Sequence, residues 1–138
     1  MKLPDWQSNL EKYLYSCKDK GFSWGSWDCL KFVNGAVKAQ RNVGFANDWF
    51  GSYSTPRGAA LNYARITRHG IYNNIIEGLD DRLSRCSLAE VGSIVAIKSD
   101  GQVLGYSLGV KVDSRTAFVG EKGLILFNLN RYIAWSVE

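Results

Sequence analysis

Apolar residues recur with the period of a helix along the first forty positions. In "PDWQSNLEKYLYSCKDKG", Trp6, Leu10, Tyr13, Leu14 and Cys17 fall on one face, and Gly21 follows as a stop. Pro4 suits the first helical turn, and Cys17 belongs to the buried side. A second amphipathic run starts near Asp28, gathers Cys29, Phe32, Val33, Ala36 and Val37, and ends around Gln40 before "RNVGF". Asp28 reads as its N-cap, with the carboxylate accepting from a free backbone N–H. Further on, Thr55 and Pro56 read as a cap and a first-turn proline, and Gly70 as the stop of that helix. His69, the sole histidine, falls in its last turn, where the helix C-terminus favours it. "IYNNIIEGL" predicts a further short helix and "DDRLSRCSLAEVG" a loop with a turn.

From Ser93 onward the texture changes to short β-rich runs: "SIVAIKS", "QVLGYSLGVKVD", "RTAFVGE", "GLILFNL" and "YIAWSV". "DG", "DS", "EKG" and "LNR" separate them as turn signals. Five strands in meander order predict a strongly twisted antiparallel sheet or small open barrel. Gly105 and Gly109, within one long strand, predict bends or bulges. Helices followed by a sheet make the class α+β. One domain is expected over residues 1–138, with a helical half at 1–90 and a sheet half at 91–138.

Composition narrows the picture. The 138 residues are 46% hydrophobic and 22% charged, enough for a real core. The net charge of +4 comes from scattered basic residues rather than a stripe with interleaved aromatics, so no nucleic-acid partner is expected. No run is long enough for a membrane span, and "MKLPDWQSNLEKY" lacks the apolar centre of a secretory signal. Synthesis and folding in the cytosol are the expectation. Cys17, Cys29 and Cys86 form no close pair and no metal-type spacing. Reduced thiols, no metal and no cofactor follow.

The candidate chemistry lies in "GFSWGSWDCLKFVNGAV". A cysteine at a helix start tends to a lowered pKa and partial exposure, which suits a nucleophile. The competing reading is that Cys29 is a small buried apolar residue. Trp24 and Trp27 read as wedges filling the space between loop and sheet, or as a glycan-stacking pair. Asp28 reads as a cap or as an acid–base residue. In "NDWFGSYSTPRG", Trp49, Phe50 and Tyr53 crowd together without a helical or strand period, next to Arg57. They read as interface anchors, with folding back onto the helical half as the alternative.

The stretch "WGSWDC" resembles the nucleophile motif of papain-like, NlpC-type cell-wall cysteine peptidases, in which a cysteine opens a helix packed on a later antiparallel sheet. More closely, nearly the whole chain resembles a family of small phage and prophage proteins of unknown function encoded among tail genes. The resemblance rests on "FSWGSWDCLKFV", "FGSYSTPRGAALNYAR", "VGSIVAI", "SLGVKV", "AFVGEKGLILF" and "AWSV" in that order. The peptidase resemblance implies a histidine base where "SLG" stands, so Ser107 occupies the base position and Phe118 stands near the orienting residue. A serine hydroxyl cannot take a thiol proton near neutral pH, and a phenylalanine cannot orient an imidazole.

The implied function is a phage tail or tail-tip structural or assembly protein on a catalytically incomplete scaffold, located in the virion. Its expected partners are other tail proteins, with peptidoglycan as a second candidate. The alternative is a cysteine hydrolase, a peptidoglycan endopeptidase with Cys29 as nucleophile, acting during genome entry. Asp28, His69 or a partner's residue would then supply the base. A third reading is a binding module for nucleic acid or a host protein.

Overall fold

The computed structural model describes residues 1–23, 25–49, 55, 57–58, 74–99 and 105–138. The periodic face of the first run forms α1, Trp6–Cys17, with Leu10 and Cys17 buried and Trp6, Tyr13 and Leu14 packed half-buried beside them. Asp5 rather than Pro4 marks its start: the Asp5 carbonyl accepts from the Asn9 N–H at 3.0 Å, and Pro4 lies in the turn before. α2, Cys29–Arg41, buries Phe32, Val33, Ala36 and Val37 completely. Asn42 ends it in the left-handed conformation (φ 67°), where asparagine substitutes for glycine, and donates to the Lys38 carbonyl at 2.8 Å. The two helices meet at Gly35. A Cβ there would lie 2.1 Å from the Tyr13 hydroxyl, which crosses α2 to donate to the Phe32 carbonyl at 2.8 Å.

After α2 the chain turns inward. Asn34 Oδ1 accepts from the N–H groups of Phe45 (2.9 Å) and Ala46 (2.8 Å), and its amide donates to Asn47 Oδ1 at 2.7 Å. This anchors a 3-10 turn, Asn47–Trp49, and corrects the reading of Trp49 as an interface anchor. Trp49 is 1% exposed, edge-on to Phe45 at 5.6 Å, and lies under the Arg82 guanidinium at 5.2 Å. Arg82 also donates to the Phe45 carbonyl and, through both terminal nitrogens, to the Asp48 carboxylate, each at 2.9 Å. It belongs to α3, Asn74–Arg82, which starts within "IYNNIIEGL" and continues into the segment expected to be a loop. Thr55 Oγ accepts from the Gly58 N–H at 3.0 Å, a capping bond as expected. The helix predicted from there to Gly70 lies outside the described residues.

Among the described residues, six antiparallel strands form the sheet: β1 Ser84–Cys86, β2 Ile94–Lys98, β3 Tyr106–Lys111, β4 Thr116–Gly120, β5 Gly123–Phe127 and β6 Ile133–Ser136. Their order, β1-β6-β2-β3-β4-β5, corrects two expectations. The strands among the described residues number six rather than five, and only β2 to β5 run as a meander. The sheet is open, the first of the two forms expected. β6 returns to the far side and inserts between β2 and β1, pairing Ile94 with Trp135 and Arg85 with Trp135. Gly105 (φ 74°) precedes β3 instead of bending it. Gly109 lies within the strand, where a Cβ would stand 2.5 Å from the Ala117 carbonyl oxygen.

The helices cover one face of the sheet, burying Ile94, Ala96, Leu108, Val110, Ala117 and Trp135 with α1, α2 and α3. The opposite face carries a smaller cluster around Ala89, Val95 and Ala134. α2 packs on β3 and β4, which brings its first turn to the sheet.

Candidate active-site cleft

The loop before α2 is shaped to present its first residue. Ser23 and Trp27 exchange backbone bonds of 2.8 and 2.7 Å across a tight turn, with Gly25 at φ 83°. Asp28, fully buried, closes the turn onto the helix. Its Oδ1 accepts from the Lys31 N–H at 3.0 Å and its Oδ2 from the Gly25 N–H at 3.3 Å. The Lys31 ammonium in turn donates to the Gly25 carbonyl. Asp28 therefore acts as a cap, with both carboxylate oxygens accepting from backbone. Trp27 packs edge-on to Phe32 of α2 at 6.1 Å beneath the Lys20 ammonium, 4.0 Å from its ring, and lies half-buried against the core. Trp24 lies outside the described residues.

Cys29 then opens α2 against the seam between β3 and β4. These strands pair at Val110–Ala117 and Lys111–Thr116, whereas β4 and β5 pair along all five positions. Below that short pairing the seam parts into a cleft of about 460 Å³. Cys29, Ser107 and Phe118 all line it, together with Phe22, Ile97, Tyr106, Leu108, Val119, Gly120, Glu121, Ile125 and Phe127. The three positions that the peptidase resemblance assigns to nucleophile, base and orienting residue thus line the same cleft.

The electrostatics run against a nucleophile. Burial pushes the Cys29 thiol up to about 12; the Leu108 main chain opposes this, the neighbouring Asp28 carboxylate adds to it, and the backbone of Cys29 and Leu30 also opposes it. Desolvation outweighs the helix start, so Cys29 is a neutral thiol at physiological pH, contrary to what its position alone implies. Ser107 faces Ile97 across the β2–β3 pairing and offers only a hydroxyl at the position that the resemblance assigns to the base. Phe118 stacks edge-on with Phe127 at 5.9 Å.

Of the other candidates, Arg57 is exposed, as a partner contact requires. Phe50, Tyr53 and His69 lie outside the described residues. Cys17 is buried, Cys29 and Cys86 are half-buried, and all three thiols are free. Among the described residues no group of histidine, cysteine, aspartate or glutamate could hold a metal ion, and no helix is long and apolar enough to cross a membrane.

Sequence reasoning missed Phe22, Tyr106, Glu121, Ile125 and Phe127 as cleft residues. One signal was available. "GLILF" puts four large apolar residues in succession, whereas an edge strand with one wet face alternates.

No curated protein and no solved structure matches the chain. One family model spans residues 1–137, which takes in every element from α1 to β6, and on that match the chain belongs to the family described as a domain of unknown function, DUF6950.

Proposed function

We propose that this protein is a bacteriophage tail or tail-tip structural or assembly component built on an NlpC-like, papain-like scaffold that has lost its catalytic machinery. The observation that carries the reading is the cleft: Cys29, Ser107 and Phe118 line it together, and the thiol is pushed up to about 12. A cysteine nucleophile needs a base within hydrogen-bond reach and a thiolate at working pH. Ser107 supplies no such base, and His69, the sole histidine, lies outside the described residues. A fold keeps its shape when its chemistry is lost, and the retained surface is then free to bind.

The test uses particles of the phage or induced prophage that encodes the chain. Mass spectrometry of purified virions is expected to find it in the tail fraction. Particles carrying Cys29→Ala are expected to assemble and infect normally. Its absence from particles overturns the tail reading. Cys29→Ala particles that assemble but fail to infect would establish the alternative, a cysteine hydrolase acting on peptidoglycan during genome entry.

A further inference from the structure

The open sheet leaves β5 as an edge, and its apolar run lies beside the cleft. Ile125, Leu126 and Phe127 are 46%, 41% and 46% exposed. The Leu124 N–H donates outward to the Lys18 carbonyl at 2.9 Å. In an antiparallel pair, main-chain groups alternate between facing the partner strand and facing away. Leu126, two residues on, therefore turns its N–H and C=O to the open edge, while Lys18 covers the edge at Leu124. Ile125 and Phe127 lie on the other parity, opposite Phe118 and Thr116, and line the cleft.

We propose that the open half of the β5 edge and the Cys29 cleft form one docking surface for an extended segment of a partner protein. This names the partner chemistry of the tail-component reading and rests on it. A donor and acceptor at Leu126 that are unpaired among the described residues recognise an extended backbone, which neither a helix nor a compact ligand offers. Alternate side chains of an added strand point to one face, so apolar residues two apart would cover Ile125 and Phe127 and reach the cleft. Among the described residues, Glu121 is the one charged residue in the cleft wall and no basic side chain pairs with it. It sits at the end where Lys18 forces an incoming segment off the edge, so that end carries a lysine or arginine.

A second copy fits less well. Matching apolar to apolar in a β5–β5 pair sets Ile125 against Phe127 about a two-fold axis at Leu126. Residue 128 of that copy would then fall at Leu124, where Lys18 already sits.

The experiment titrates the isotopically labelled full chain with the synthetic peptide acetyl-VTVTVK-amide and follows backbone amide resonances. Saturable shifts at Ile125, Leu126, Phe127 and Cys29 are expected, with none from acetyl-GTGTGK-amide. Leu126→Pro removes the outward donor while sparing the bonds to β4, and is expected to weaken binding about tenfold. If Leu126→Pro does not fold, Glu121→Lys serves, and is expected to reverse the preference between peptides ending in lysine and in glutamate. Absence of saturable shifts, equal binding of the glycine peptide, or an unchanged preference in Glu121→Lys overturns the proposal. Concentration-dependent shifts at the same amides without peptide overturn it in favour of a second copy. A chain present in particles that binds no peptide defeats only this inference, and a peptide-binding chain absent from particles defeats only the tail reading.

Discussion

Cys29 shows two opposing effects at one sulfur. The helix start and the Leu108 main chain favour the thiolate, while enclosure between α2 and the sheet disfavours it, and enclosure is the larger. The consequence for stability has a definite sign. The folded thiol ionises near 12 and an ordinary one near 9.0, so the unfolded chain releases its proton first and gains from rising pH. Stability should therefore fall from about pH 9 upward, by about 1 kcal/mol at pH 10. Burial, and next the neighbouring Cys17, raise the Tyr13 phenol from its ordinary 10.0, which adds a similar loss at higher pH and confines the clean window to pH 9–10. Urea unfolding of wild type and Cys29→Ala across that window measures it: the wild-type curve should fall more steeply, and parallel curves would contradict the assignment. Ser107 allows the reverse experiment. Ser107→His puts an imidazole into the cleft that Cys29 also lines, and on the base assignment alkylation of Cys29 by iodoacetamide at pH 7 should accelerate at least about tenfold. An unchanged rate, with Cys17 and Cys86 monitored by peptide mapping, would show that Ser107 does not stand where a base would act.

Individual elements were legible where one rule governed them. α2 was readable because a capping carboxylate, a 3.6-residue apolar period and a polar end coincide, and each was later found in place at Asp28, Val33 and Asn42. β2 to β5 were readable because turn residues punctuate them. β1 was not, since "SRC" has neither length nor alternation, and it becomes a strand only by pairing with β6. Trp49 misled for a related reason. Its neighbours have no period, so nothing local shows that Asn34, on another element, holds the 3-10 turn inward. The candidate site divides the same way. Cys29, Ser107 and Phe118 could be named from resemblance, but the β5 residues of the cleft could not. Their participation depends on where β3 and β4 part, which is a property of the assembled sheet.

At the scale of the whole molecule, the insertion of β6 makes the sheet depend on long-range closure. Trp135 pairs across both neighbours, with Arg85 on β1 and Ile94 on β2, and is fully buried. Its indole N–H donates to Asp80 Oδ1 at 2.9 Å, and Arg85 holds the same carboxylate through Nε at 2.7 Å, so α3, β1 and β6 are tied at one point. The Arg85 guanidinium, and to a lesser degree the Trp135 indole, hold the Asp80 carboxyl below its ordinary value, as these bonds require. Trp135→Ala removes the largest side chain at this junction and is expected to cost about 3–5 kcal/mol, enough to endanger a domain of ordinary stability. Arg57→Ala, on an exposed side chain, is expected to stay within about 0.5 kcal/mol of wild type. Because β6 lies between β1 and β2 rather than at an edge, the loss should be cooperative. Far-UV and near-UV circular dichroism should then shift to lower urea together in Trp135→Ala. If the far-UV signal instead persists after the near-UV signal is lost, β2 to β5 hold their structure without β6. The cleft beside β5 would then survive independently of the chain's last strand.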